Sequence, residues 1–212
     1  MQTPPTVARL LGPMLGQHIQ LGHVVPDLDE ALTFWTETLG VGPFVIVENP
    51  IGASPFVHRE QDSDLRMTVA FSYLGDAMVE LICQTNAAPS PYREFLASGR
   101  SGLHHIGFWP DDMEAAEARA REAGFIEVSS ITMPDGQKSI SYLESPPAVG
   151  VMIELIRATP FRQVYARGIR ALAQNWTGDR PVRRFDSFAA FTVPKTARAD
   201  HQLPVVFRGL KR

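Results

Sequence analysis

With a single cysteine, Cys83, the 212-residue chain has no disulfide framework and no cysteine-ligated zinc or iron–sulfur site. Cys83 lies in the apolar run 78–83, where it reads as a small core residue. No run approaches the roughly 18 apolar residues that a membrane span needs. The apolar patch at 10–15 follows Pro4 and Pro5 and is too short and proline-broken for a secretory leader, so a cytoplasmic location is expected. Charge of one sign is also missing overall: 20 Lys and Arg against 23 Asp and Glu leave a formal net charge of −3. At 44% hydrophobic and 20% charged residues, the composition is that of a soluble globular protein of one large or two small domains.

That balance hides an asymmetry. Residues 160–212 hold nine Arg and two Lys against three Asp, whereas residues 1–159 hold nine basic residues against 20 acids. A basic tail on an acidic body is expected to wrap that body or a partner subunit. Trp176, Phe185, Phe188 and Phe207, interleaved with the arginines, keep nucleic acid as the weaker alternative.

What the chain does contain is a pattern stated twice. The first copy reads Gln20-Leu-Gly-His-Val-Val-Pro-Asp27 and, much later, Val79-Glu80-Leu81-Ile82. The second reads His105-Ile-Gly-Phe-Trp-Pro-Asp-Asp112 and then Ile153-Glu154-Leu155-Ile156. In both, seven positions separate the polar strand residue from the aspartate that opens a helix. Each copy reads as β-α-β-β-β. In the first, a strand at 18–25 precedes a helix capped by Asp27 and stopped by Gly40. A strand at 44–47, a loop at 49–65 and a hairpin around Gly75-Asp76 follow. In the second, a strand at 103–109 precedes a helix over 113–123, with strands at 125–131, 140–143 and 151–156 after it. Residues 84–101 read as the linker. Thr159 and Pro160 then start a helix with an apolar stripe of Phe161, Val164, Tyr165, Ile169, Leu172 and Trp176, with Arg162, Arg167 and Arg170 largely off it. An extended arm over 178–212 completes the chain.

Glutamate is almost never buried without a partner, so two glutamates at matching places in apolar strands, with a glutamine and a histidine at the other matching places, point to a metal ion. Strand residues two apart share a face, which puts Gly22 beside Gln20 and Gly107 beside His105 and leaves space by the ion. Two carboxylates neutralise a dication, and the amide and imidazole add uncharged donors. Three oxygens and one nitrogen suit Mn, Co, Ni, Zn, Fe(II) or Mg without choosing among them. The competing reading is four hydrogen-bonded polar residues in a cavity that holds no ion. His23 and His104 fall out of phase and should face the helices, while His58 could reach the cleft from the 49–65 loop. Phe56, Phe71, Tyr73, Phe108 and Tyr142 could line a pocket but are core residues by default. Arg93 and Arg100 read as surface charge, and His201 as solvated.

The segments at 23–35, 39–44, 79–82, 102–108 and 153–156 together resemble the vicinal oxygen chelate superfamily, over about residues 17–158. That resemblance implies an α+β fold: two βαβββ modules forming a half-open barrel around a metal cleft, here followed by a C-terminal helix and extended arm. Accordingly the chain divides into an N-terminal extension (1–16), a first module (17–90), a linker (91–101), a second module (102–158) and a basic tail (159–212). The resemblance further implies one divalent ion held by Gln20, Glu80, His105 and Glu154, with Glu154 as base and Glu80 the second choice. The implied chemistry is proton removal next to a carbonyl in a small oxo-acid, acyl-CoA or similar substrate, in an isomerase, epimerase or glyoxalase-type lyase. A sequestering protein of the same fold is the alternative. A dioxygenase is disfavoured, because non-haem iron oxygenases use two histidines and one carboxylate and only one of these four residues is histidine. A homodimer bridged by the tail is expected, with a small-molecule substrate, no membrane partner, and nucleic acid only as the weaker alternative.

Overall fold

Short side-chain caps set where the helices begin. A computed structural model describes residues 11–185. The Asp27 carboxylate accepts from the Glu30 N–H at 2.9 Å and opens α2 (Leu28–Thr33), which runs on as a π-helical turn over Phe34–Thr38. Asp112 does the same for the Ala115 N–H at the start of α4 (Met113–Glu122). Beyond the second module, Thr159 and Pro160 open α5 (Pro160–Gln174), the Thr159 hydroxyl accepting from the Arg162 N–H. A short α1 (Leu11–Leu15) precedes the first module and packs against α4.

The first module contains β1 (Gln17–Val24), β2 (Phe44–Glu48), β5 (Met67–Leu74) and β6 (Ala77–Gln84), and the second β7 (Gly102–Trp109), β8 (Ile126–Thr132), β9 (Lys138–Glu144) and β10 (Met152–Ile156). Within each module the first strand lies parallel to the last, β1 with β6 and β7 with β10, and the other two continue outward in the same order. The modules join through the antiparallel pair β1–β7. One face of the first half buries Val79 and Leu81 under Leu28 and Leu32 of α2. The matching face of the second half buries Ile153 and Leu155 under Met113, Ala116 and Ala120 of α4. On the other face the sheet curls, so that Val69 and Phe71 of β5 meet Val128, Ile131 and Tyr142 of the second module in one core.

Two segments expected to lack regular structure have it. The stretch expected as a loop over 49–65 contains β3 (Phe56–His58) and β4 (Gln61–Asp62), and β3 pairs with β8 at the far end of the sheet. The chain therefore crosses from one module to the other and back, which only cross-sheet pairing could disclose. The expected linker carries α3 (Pro91–Ala97), with Ser90 as N-cap and Pro91 in its first turn. Its Tyr92 and Phe95 plug the core between the modules.

The tail folds back onto its own chain as far as it is described, one of the two placements expected for it. Ile169 is fully buried in the same core, and Tyr165 packs on Phe71 with ring centroids 6.2 Å apart. Burying an isoleucine contributes about 1.5–3 kcal/mol to holding this face of α5 against its own chain. After the helix, Trp176 lies over Gly42, and β11 (Val182–Phe185) pairs with the otherwise open edge of β2. Arg184 reaches Asp29 at 3.1 Å, basic arm to acidic body. The predicted Phe188, Phe207 and His201 lie outside the described residues, as does the arm beyond Phe185.

Candidate metal centre

Two glycines decide how the site assembles. Gly22 on β1 sits between Glu80 on β6 and His105 on β7. Gly107 on β7 sits between Gln20 on β1 and Glu154 on β10. Each glycine therefore has a site residue directly across from it on both sides, and side chains from the neighbouring strands lean over the gap. A Cβ on Gly22 would stand 2.0 Å from the His105 ring, and one on Gly107 would stand 2.5 Å from Gln20 Cγ. The expected free space beside the ion is thus filled by the site's own side chains.

All four sequence-predicted residues come together, and all are buried. The Gln20 amide donates to Glu80 Oε2 at 2.9 Å and to Glu154 Oε2 at 2.7 Å. His105 Nε2 lies 3.0 Å from Glu154 Oε2 and 3.4 Å from Glu80 Oε2. Ligand atoms of Glu80, His105 and Glu154 lie within 4.8 Å of one another.

Burial pushes the Glu80 carboxyl up, against the downward pull of His105. Burial alone would lower His105, but Glu154 and Glu80 outweigh it and push its pKa up to about 10. The buried Nε2 nonetheless has no aligned hydrogen-bond acceptor. Two buried carboxylates, an imidazole nitrogen lacking a well-aligned partner and an amide that offers its carbonyl oxygen after a half-turn make a donor set that fits a divalent cation.

The site opens into a cavity of about 270 Å³. Gln20, Glu80 and Glu154 are among its polar lining residues, and Val69, Phe71, Ile140 and Ile156 among its apolar walls. Pro50, Ile51 and Ser54, from the segment after β2, border it. Phe71 and Tyr142 line it too, whereas Phe56 belongs to the core, Tyr73 faces Arg170, and Phe108 packs on His18. The Tyr142 hydroxyl accepts from Tyr92 at 2.7 Å. Burial, and then the nearby carboxylates, hold both phenols well above their ordinary pKa, so both remain protonated donors.

The other histidines divide. His23 packs edge-to-face on Trp35, on the helix side as expected, and burial lowers its pKa. His104 departs from strict alternation. The β1–β7 register shifts between the pairs Gly22–His105 and His23–Leu103, leaving His104 as the extra residue of a bulge. Its Nδ1 consequently lies 3.0 Å from that of His105, under Tyr92 and Phe95 of α3, and burial lowers its pKa to about 3. His58 is no lid residue: it is buried in β3, 2.7 Å from Ser129 Oγ and 3.1 Å from Glu94. Arg93 is exposed, and Arg100 lies 4.6 Å over the Phe95 ring.

Sequence reasoning expects the tail to help wall the pocket but does not single out which of its residues do so. Phe161, Arg162 and Tyr165 of α5 line the cavity, although Phe161 and Tyr165 belong to a stripe that reads as core or interface and Arg162 lies largely off it. The Thr159-Pro160 start placed the helix correctly. Where it docks depends on the curl of the sheet, which no local pattern carries.

The profile of the glyoxalase/bleomycin resistance protein/dioxygenase superfamily matches residues 19–143. An ethylmalonyl-CoA/methylmalonyl-CoA epimerase from Cereibacter sphaeroides is 28% identical over 145 residues, covering 67% of this chain and 98% of that protein. Among solved structures, methylmalonyl-CoA epimerase from Mycobacterium tuberculosis is 21% identical with a TM-score of 0.48, covering 74% of this chain and 98% of that one. A hypothetical protein from Bacillus halodurans C-125 is 18% identical with a TM-score of 0.47, over 68% and 94% of the two chains. No helix among the described residues is long and apolar enough to cross a membrane.

Proposed function

Because the chain belongs to the glyoxalase/bleomycin resistance protein/dioxygenase superfamily, also called vicinal oxygen chelate, we propose that it is a divalent-metal-dependent isomerase, epimerase or glyoxalase-type lyase. It would move a proton at a carbon next to a carbonyl in a small oxo-acid, acyl-CoA or similar substrate. The observation that carries this reading is the convergence of Gln20, Glu80, His105 and Glu154 at a mostly apolar cavity.

These four residues would hold the ion, which is Mn, Co, Ni, Zn, Fe or Mg. When bound, such an ion polarises a carbonyl and supports negative charge on its oxygen. The chain's own residues do the rest. Glu154 takes the proton from the carbon, with Glu80 as the second carboxylate able to carry one. Burial raises the proton affinity of Glu80 against the pull of His105, which makes it a better proton acceptor than a free carboxylate. Val69, Phe71, Ile140 and Ile156 exclude water from the reacting carbon. The protonated Tyr142 and Tyr92 stand behind Glu154 as neutral donors.

The similarity to an ethylmalonyl-CoA/methylmalonyl-CoA epimerase supports the epimerase branch. The test is incubation of the metal-loaded protein with candidate 2-oxo acids, thiohemiacetals and acyl-CoA thioesters in deuterium oxide. Incorporation of deuterium at the carbon next to the carbonyl, lost in Glu154→Gln, is expected. Tight binding of such compounds with no exchange in any of them would favour the sequestering protein instead.

A further inference from the structure

Resting on the metal-site reading, we propose that Arg162 on α5 binds a carboxylate of the substrate, so that the cleft selects anionic compounds over neutral ones of the same shape. α5 lies outside the segment matched to the superfamily, which ends at residue 143.

Among the described residues lining the cavity, Arg162 is the one cationic side chain. It makes no ion pair among the described residues, unlike Arg170 with Asp76 and Arg184 with Asp29 on the same tail. Three neutral contacts hold it instead. Its Nη1 donates to the carbonyls of Arg157 at 2.9 Å and Ser139 at 3.3 Å, and its Nη2 donates to Ser139 Oγ at 2.7 Å. Neutral acceptors, rather than Glu80 or Glu154 of the same cavity, thus hold the guanidinium.

A guanidinium has five N–H donors. With both on Nη1 and one on Nη2 engaged, the remaining two are Nε–H and the second Nη2–H. These lie on one edge of the planar group, the edge that grips a carboxylate through two parallel hydrogen bonds. A half-buried, pre-oriented cation with that edge unused, sharing a cavity of about 270 Å³ with a site for vicinal oxygens, selects a compact molecule that is oxygen-rich at one end and a carboxylate at the other.

The test uses two series of hydroxamates on the Mn(II)-loaded protein. One series consists of monohydroxamates of short dicarboxylic acids, the other of alkyl hydroxamates of equal length with a methyl in place of the carboxylate. Both share the end that chelates the ion. Calorimetric affinities should favour the best-fitting carboxylate by about tenfold to a hundredfold in the wild type. In Arg162→Met that preference should vanish while the methyl-ended compound binds as before. The wild-type preference is read without any variant, so a poorly folding substitution does not blunt the result. Equal affinities in the wild type, or a preference that survives in Arg162→Met, overturn the carboxylate assignment and leave the metal site standing. Failure of both series to bind, together with no Mn(II) uptake, sinks the metal reading and this assignment with it.

Discussion

In the first module, Gln20 leans over Gly107 on a flexible stem and can turn its amide either way. In the second, the rigid His105 ring occupies the place of a Gly22 Cβ and is pinned between two carboxylates. The strand register is the same in both halves, with each site residue two positions before a glycine that pairs with a glutamate. What differs is tolerance. A side chain with rotatable methylenes absorbs a disturbance, whereas a ring set beside a bulge does not. Repeated architecture thus fixes where the donors stand, and the second half fixes how firmly they stand.

The sharpest way to break this comparison is to delete each donor. His105→Ala should lower divalent-ion affinity by on the order of 100-fold or more, and Gln20→Ala by about tenfold, both by calorimetric titration. Equal losses would mean that the halves contribute alike. Next come the glycines. Gly22→Ala forces a Cβ into the His105 ring and should destabilise the fold by roughly 1–3 kcal/mol in chemical denaturation. Gly107→Ala meets the movable Gln20 Cγ and should cost less than about 1 kcal/mol.

Proton coupling separates the halves differently, since only the second carries a titrating nitrogen. The His105 pKa, about 10, stands above its ordinary 6.5. In metal-free protein its stabilising contribution is therefore fully present below about pH 6.5 and fades as pH rises through about 10. A cation must displace that proton, so ion affinity should rise with pH across this window and uptake at neutral pH should release a proton. Titration in two buffers of different ionisation heat reads that release, which should persist in Gln20→Ala and be clearly smaller in His105→Gln. The smallest effects belong to the helix caps. Asp27→Ala and Asp112→Ala should each cost about 1 kcal/mol in thermal melts, and clearly unequal losses would mark one module as the less stable.

The site was legible because strand period and register act locally. Gln20 and Gly22, or His105 and Gly107, must share a face, and the repeat places them opposite each other. The helix starts at Asp27, Asp112 and Thr159 were legible for the same reason. Ser90-Pro91 carries the same signal as Thr159-Pro160, but it sits in a proline-rich stretch whose composition reads as a linker. His104 was misplaced because a bulge is a property of two strands rather than one. β3 and the docking of α5 depend on how far the sheet curls, and neither sequence period nor composition encodes that distance.

Metal content of the 212-residue chain purified without chelator goes most directly to the shared centre. Expected is about one divalent ion per chain in the wild type, lost in Glu80→Gln/Glu154→Gln while the fold persists by circular dichroism. A folded wild-type chain that takes up none of Mn, Co, Ni, Zn, Fe or Mg, even when each is supplied in excess, would contradict it.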